Sequence, residues 1–490
     1  MRNYKILTEV ELNKIHGSTL DIMKNLGVKF TLKEALAIFS DAGFFVSKDG
    51  IVKFKPEQVE KYIKKVPSRF VRKGIDSKYD CDFGSDSLYM GGGSLPIHII
   101  DSDTYERRKP TIQDMVKFTK LVDALDNFYI GNSVVQPAEI PHNVMHAVWD
   151  QNAACNMSKP SCCWYALDKQ TAQDTIQILS AASGGTDKLK KNKTWATTIC
   201  PDSALIWGRS IWGILEGAKV EIPLEILPMP FCGSTHPVTI AGALVQANAE
   251  TLSAVILAQI IKPGCPIIYA PSYGGIMDMA VGSHSFGTPE TALYGAAAAQ
   301  LGKWYKFPTN IMMGTTDSKA PDAQASYEKM MTFILPALAG CDCMSLTGGM
   351  LDFALSANYE QTVIDNEIAG QVLRLRKGFE INEDTLAVDV IKEVGHDGTY
   401  LPTEHTFRHF KDELWFPKLA DRTPYTTWSS KGKKDILKRA KEKVEEILKT
   451  HKAKGIDNNK KEEVNRIVKE IFKREKVDYK KYNLERYMCE

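Results

Sequence analysis

The chain has no run of about 18 uninterrupted apolar residues, the length a helix needs to cross a bilayer, so no membrane span is expected. Its opening, MRNYKILTEVELNK, lacks the charged-then-apolar pattern of a secretory signal, which leaves a cytoplasmic location as the expectation. Neither sign of charge dominates. Sixty-two Lys and Arg stand against 60 Asp and Glu, a net +2, and such a balance offers a polyanion such as nucleic acid no footing. No CxxC occurs among the ten cysteines, and Cys162–Cys163 and Cys341-x-Cys343 lie inside apolar runs. Reduced, buried thiols are therefore expected, not disulfides or metal ligands. A Walker loop, GxGxxG, GxSxG and HExxH are all missing, which removes the common phosphate-binding, dinucleotide, hydrolase and zinc-protease readings.

What remains is an ordinary globular composition, 43% hydrophobic and 25% charged over 490 residues, enough for a large core plus extensions. Residues 1–85 read as an α+β extension. Leu12, Ile15, Thr19, Ile22, Met23 and Leu26 recur at helical spacing, Lys48-Asp49-Gly50 marks a hairpin, and Pro56 opens a short helix. From Leu88 onward eight strand-like runs follow: Leu88–Gly91, Phe128–Val135, Ser161–Ala166, Thr194–Cys200, Leu224–Phe231, Pro266–Ala270, Thr309–Met313 and Cys343–Leu346. Helical patterns separate them, at Ile112–Leu125, Val144–Asn156, Lys169–Ala182, Ser203–Glu216, Ala241–Ile261, Thr288–Trp304 and Asp322–Ala339. Eight such units predict an α/β protein, a TIM (β/α)8 barrel over 86–380, with its chemistry at the carboxyl ends of the strands. Residues 381–490 read as a C-terminal segment with a Lys-rich helical tail packed on the barrel.

Two histidine pairs stand at helical spacing, His142/His146 and His405/His409. Zinc is conceivable at either, but no third ligand is marked nearby, and packing or surface histidines are the expectation, with no metal site. Aromatics gather near predicted strand ends. Tyr89 lies in the first strand, Trp164 and Tyr165 end the third, Phe231 ends the fifth, Tyr273 follows the sixth and Phe353 follows the eighth. Such rings either pack a barrel mouth or hold a cationic ammonium, each face contributing about 0.5–2 kcal/mol. Glycines cluster there too: Gly92 and Gly93, Gly314 with Asp317 three residues on, and Gly348 with Gly349. They suit either tight turns or close approach by a large partner.

Several stretches, in order, resemble the trimethylamine methyltransferase superfamily: IHGSTLDIMKNLGVKF, GIVKFKPEQVEKYIKKVPSRF, YERRKPTIQDM, PGCPIIYA, TPETAL, TTDSKAPDAQASYE, YEQTVIDNEI and YLPTEHTFRHFKDELWFPKLADR. The resemblance implies a TIM barrel that moves a methyl group from a methylated amine to the cobalt of a corrinoid (cobalamin-type cofactor). The corrinoid is carried by a partner protein, with no cofactor held tightly by this chain. One subgroup, acting on trimethylamine, carries pyrrolysine, and Phe353 falls near that column in SLTGGMLDFALSANYEQ, where every residue here is ordinary. The resemblance then implies a quaternary amine, which has no lone pair to capture: glycine betaine first, or proline betaine, carnitine or γ-butyrobetaine. The expected cage is Tyr89, Trp164, Tyr165, Phe231, Tyr273 and Phe353, with Arg209, His236 or His284 for a betaine carboxylate. The corrinoid protein is expected against Gly92, Gly93, Gly314, Asp317, Gly348 and Gly349. A homo-oligomer is also expected. The alternatives are a non-catalytic quaternary-ammonium binder and zinc-dependent methyl transfer from an alcohol or thiol.

Overall fold

The computed structural model describes residues 4–93, 95–132, 134–163 and 166–488. Trp164 and Tyr165 therefore lie outside the described residues. Helix Glu9–Asn25 starts where Thr8 and Glu11 cap each other, the Thr8 N–H reaching the Glu11 carboxylate at 2.7 Å. Phe45–Val46 and Ile51–Lys53 pair antiparallel about the predicted turn, and Pro56 opens helix Pro56–Ile63. Gly50 is required there. Its φ is +82°, and an added Cβ would stand 2.5 Å from the Phe30 carbonyl oxygen.

Seven strands carry the centre of the molecule: β1 (Tyr89–Gly92), β2 (Phe128–Ile130), β3 (Ser161–Cys163), β4 (Trp195–Ile199), β5 (Leu224–Ile226), β6 (Ile267–Tyr269) and β7 (Cys343–Gly348). Strands β3, β4, β5 and β6 pair parallel in that order. Strand β1 lies parallel between β7 and β2. The expected strand at 309–313 contributes two isolated parallel bridges, Tyr269 to Thr309 and Asn310 to Cys343. Gly131 bridges Ser161 in the same sense. Helices fill most intervals close to their expected bounds, among them Ile112–Ala124, His142–Asn156, Lys169–Ser183, Pro289–Trp304, Ala323–Ala339 and Tyr359–Lys377. The result is a mixed α/β fold.

Three departures from the expected elements have local causes. The predicted helix over 203–216 shrinks to Ile211–Gly217, because Ile206–Trp207 joins the N-terminal sheet parallel to Val28–Phe30. Buried Trp207 holds that strand in place, its indole N–H donating to Ser253 Oγ at 3.1 Å. The run Leu224–Phe231 is cut at Pro228 and Pro230, which cannot donate to a ladder. Its end becomes a separate strand, Phe231–Cys232, paired with Gly275–Asp278, which turns back antiparallel as Ser283–Ser285. The stretch over 275–285, to which the sequence assigned no element, is a hairpin.

The amino ends of the strands are filled from below. A hairpin, Phe70–Arg72 with Cys81–Phe83, inserts two rings stacked 5.7 Å apart, and they pack with Ile130, Cys162, Ala196, Ile268 and Cys343. Buried Arg72 donates to the Ser161 carbonyl at 2.6 Å and the Thr194 carbonyl at 3.1 Å. Helix Ile240–Ile261 is long and apolar enough to cross a membrane, but 72% of its apolar window is buried. Strand β5 covers one side and the N-terminal helices another, so it is apolar all round because it is core. Of the nine described cysteines all but Cys200 are buried. Helices Ile436–Thr450 and Asn458–Arg474 bury the expected stripe through Val444, Ile447, Val464, Val468 and Phe472.

Candidate active site

A cavity of about 690 Å³ opens at the carboxyl ends of the parallel strands. The residues at or just past each strand end supply its wall: Leu95 after β1, Asn132 after β2, Cys163 at the end of β3, Cys200 after β4, Leu227 after β5, Tyr273 after β6 and Phe353 after β7. Phe231, His284 and Phe286 come from the strands behind, and Trp149 from helix His142–Asn156. Gly282 and Leu355 are exposed at its rim. Among the described lining residues there is no Asp, Glu, Lys or Arg. The wall is therefore aromatic and sulfur-rich, a surface that can hold a cation by its ring faces.

The rings stand close enough to act on one small group. Phe231 lies 4.2 Å from the His284 ring and 5.8 Å from Phe286, and Tyr273 lies 6.0 Å from Phe286. Two of the rings are presented by left-handed backbone. Tyr273 has φ +60°, and Asp352, Phe353 and Ala354 have φ +56°, +54° and +66° in succession. Side-chain-bearing residues pay roughly 1–2 kcal/mol each in that conformation, which persists only where surroundings enforce it. Asp352 does so here. Its carboxylate accepts from Arg107 Nη1 at 3.1 Å and Ser356 Oγ at 2.8 Å, and its N–H donates to the Ser318 carbonyl at 2.7 Å. Lys319 Nζ lies 4.0 Å from the centre of the Phe353 ring, so that ring already carries one cation.

Two buried side-chain nitrogens on the wall lack hydrogen-bond partners among the described residues. Asn132 accepts from the Cys162 N–H through Oδ1 at 2.9 Å, and its Nδ2 has no hydrogen-bond partner. His284 Nε2 has none either. A buried unpaired donor costs about 1–3 kcal/mol, an outlay a ligand bearing acceptors would recover.

One carboxyl sits just under the floor. Glu225, fully buried on β5, accepts from Thr198 Oγ1 at 2.7 Å and from Asn310 Nδ2. Asn310 Nδ2 also donates to Ser345 Oγ at 2.6 Å. Thr198 and Cys162 line the cavity from above while facing Glu225 from below. Burial pushes the Glu225 carboxyl above its ordinary range, and the Asn310 and Thr198 hydrogen bonds pull it back in part.

Of the residues singled out from sequence, Phe231, Tyr273, Phe353 and His284 line the cavity. Tyr89 does not, which corrects its expected place. As the first residue of β1 it stands at the amino end, its hydroxyl accepting from the Asp82 N–H at 2.9 Å and its ring against Phe83 and Tyr129. His236 is buried beside Glu250, Nε2 to Oε2 3.4 Å, away from the cavity, and Arg209 is exposed away from it. Gly92, Gly93, Gly314, Gly348 and Gly349 do end strands, but all are buried. A Cβ on Gly92 would meet Phe128 and Val122, one on Gly314 the Phe333 ring at 2.0 Å, and one on Gly349 Thr362 Oγ1 at 2.2 Å. They are tight turns under neighbouring side chains and offer no open face to a partner. Half-buried Asp317 fastens the cavity wall, accepting from the Phe286 N–H at 2.7 Å, and burial raises its carboxyl. Sequence reasoning passed over Asn132 and Glu225, although Glu225 is a lone acid in the apolar stretch PLEIL.

Neither histidine pair forms a centre at the cavity. His146 Nε2 sits 3.1 Å from Asp174, which Arg474 also engages. His405 and His409 come within ligand distance of Asp384, but Arg408 already holds that carboxylate at 2.9 Å.

The sequence model of the family described as trimethylamine methyltransferase (MTTB) matches residues 1–476. A glycine betaine methyltransferase of Desulfitobacterium hafniense (strain Y51) is 34% identical over 93% of this chain and 94% of its own length. A trimethylamine methyltransferase MttB of Desulfitobacterium hafniense (strain DSM 10664 / DCB-2) is also 34% identical, over 91% and 89%. Among solved structures, the hydroxylamine complex of MtmB is similar at 13% identity and a TM-score of 0.49, covering 90% of this chain and 94% of that one. These relatives set aside the reading as a non-catalytic binder: the chain belongs to the trimethylamine methyltransferase (MttB) family and is an enzyme of the methyltransferase class.

Proposed function

We propose that this enzyme takes a methyl group from a betaine, with glycine betaine as the favoured substrate, and passes it to a corrinoid carried by a separate protein. The observation that carries the reading is the composition of the cavity wall. Rings suit the quaternary nitrogen, and two unpaired donors, Asn132 Nδ2 and His284 Nε2, suit a carboxylate. Trimethylamine has no carboxylate for those donors. The first of the relatives named above, a glycine betaine methyltransferase, supports the same choice.

The chemistry asks little of the protein beyond placement. Reduced cobalt attacks the methyl carbon on the side opposite nitrogen, and the C–N electron pair stays with nitrogen, which leaves as a neutral tertiary amine. No proton has to be supplied. The rings hold the cation, the donors fix its orientation, and the filled amino ends of the strands keep bulk water from below. Glu225, beneath the floor, locks Thr198 and Asn310 in place.

On this reading the strands close into a (β/α)8 barrel over residues 86–380, with residues 1–85 and 381–490 packed around it. Support comes from the pairings followed in order. They lead from β1 through β2, β3, β4, β5 and β6, across Thr309–Asn310, to β7 and back to β1. The corrinoid protein would then meet the rim of the cavity, where Val238, Met279 and Val281 are exposed, and not the buried glycines.

A substrate panel tests the proposal: glycine betaine, proline betaine, carnitine, γ-butyrobetaine and trimethylamine, each with reduced cobalamin, followed by methylcobalamin absorbance. Betaines should be demethylated and trimethylamine should not. Comparable turnover of trimethylamine and glycine betaine would sink the reading.

A further inference from the structure

No residue from Lys377 through Lys418 is buried, a stretch of chain that contains the three helices Glu383–Leu386, Val388–Val394 and Glu404–Glu413. Polar contacts tie its ends together, with one ring pair, Phe410 and Phe416 at 6.3 Å, inside it. Arg374 donates to the carbonyls of Gly378 at 2.7 Å and Glu413 at 2.6 Å, so Phe379–Glu413 leaves and returns at one guanidinium. Within that arm Asp384 ties the first helix to the third, through Arg408 at 2.9 Å and His409 at 3.0 Å. The apolar side chains are left outside. Phe379 is 77% exposed, Leu401 85% and Phe407 72%, with Ile381, Phe416 and Tyr425 each more than half exposed.

We propose that this arm and its return segment form the interface with a second copy of the same chain. Three observations select that occupant. The first is area. Large apolar side chains offer about 150–250 Å² each, so this segment leaves on the order of 1,000 Å² of apolar surface in water. A monomer leaves roughly 300–600 Å² in its largest patch, whereas permanent assemblies bury about 1,000–2,500 Å² per partner. A transient methyl acceptor would leave that surface bare for most of its life.

The second is position. The arm leaves from the end of helix Tyr359–Lys377, which starts near the carboxyl end of β7 and runs about 28 Å away from it. The methyl acceptor has to work at the cavity, at the other end. The third is charge. Phe379–Glu413 carries nine Asp and Glu against three Lys and Arg, whereas residues 431–490 carry 20 Lys and Arg against 12 Asp and Glu. A second copy presents the basic surface that the rim of the arm complements.

The test is the mass of the full-length protein by light scattering and sedimentation across the micromolar range, for wild type and for Leu401→Asp with Phe407→Asp. Both side chains are exposed, so the variant keeps the internal contacts, and circular dichroism and betaine binding report its folding. Wild type should contain more than one chain, and the variant should fall to one chain, its dissociation constant raised about 100-fold or more. A wild type that is one chain throughout, or a charged variant that keeps the wild-type mass, overturns the proposal.

Discussion

Replacing Asn132 by Asp tests the carboxylate site with a change of sign. The substitution keeps Oδ1, so the Cys162 N–H at 2.9 Å retains its acceptor and β3 its geometry. It removes the unpaired Nδ2 donor and puts an acid in its place. A hydrogen bond to a charged acceptor contributes about 1.5–3 kcal/mol, so the lost donor alone predicts roughly 10–150-fold weaker glycine betaine binding. Repulsion between two carboxylates adds to that. At a separation near 4 Å and an effective dielectric of about 20 the bare interaction approaches 4 kcal/mol, an upper bound because the new acid can take up a proton. Tetramethylammonium carries the same cation without the carboxylate. For it the new negative charge is attractive, and affinity should stay level or rise. Calorimetric titration of both ligands, with methylcobalamin formation as the catalytic readout, gives the ratio directly. Equal losses for both ligands would mean that the variant merely damages the cavity. Unchanged glycine betaine affinity would mean that Asn132 does not meet the carboxylate. Either result refutes the reasoning.

His284→Phe should lower glycine betaine affinity about 10-fold or more and leave tetramethylammonium nearly unchanged, read in the same titrations. Phe231→Leu should weaken quaternary ammonium binding roughly 2–30-fold at nearly constant volume, and Phe353→Leu should do less, because Lys319 already occupies that ring; equal losses would contradict this. Burial holds the Glu225 carboxyl above its unfolded value, so the folded chain keeps a proton that the unfolded chain releases, and stability falls as pH rises through that window. Glu225→Gln lacks that slope: its urea midpoint should gain on wild type as pH rises above the ordinary carboxylate range, and a constant difference would discount the titration. Asp352→Ala frees the left-handed turn beneath Phe353, so transfer should slow by more than thermal stability drops, as turnover and melting curves would show.

Much of the helical frame was legible where a helix buries one face, as Glu9–Asn25 and Asn458–Arg474 do, because a 3.6-residue apolar period survives in any sequence that does so. Strand length was less legible. Phe128–Ile130 stops well before its apolar run does: past it Asn132 lines the cavity, and Val134 and Val135 stay buried without a ladder. Phe231, Tyr273 and Phe353 could be placed because they follow strands. Tyr89 was misplaced because a ring within a strand does not reveal which end of the molecule it occupies. The glycine clusters marked the right loops but not their burial, since the side chains that cover them, such as Phe333 over Gly314, arrive from distant helices. Asn132 carried no signal, and His284 was one of three candidates that no motif separated, because an unpaired donor is a property of surroundings and not of residue type. The opposite held for the arm, where apolar residues mixed with acids resemble an ordinary irregular segment until no core is found beneath them.

The hairpin that fills the amino ends of the strands has a kinetic consequence. With Phe70 and Phe83 stacked there and Arg72 bound across Ser161 and Thr194, the described residues close the cavity from below and leave it a door beside Gly282 and Leu355. Under the proposed reaction the amine, the methyl acceptor and the departing tertiary amine all use it. The amine must be seated before the acceptor arrives, and the product must wait for the acceptor to leave. Turnover should follow a compulsory order, with dimethylglycine competing against glycine betaine but not against the corrinoid protein, and excess acceptor should slow the cycle by closing the door on an empty or spent cavity.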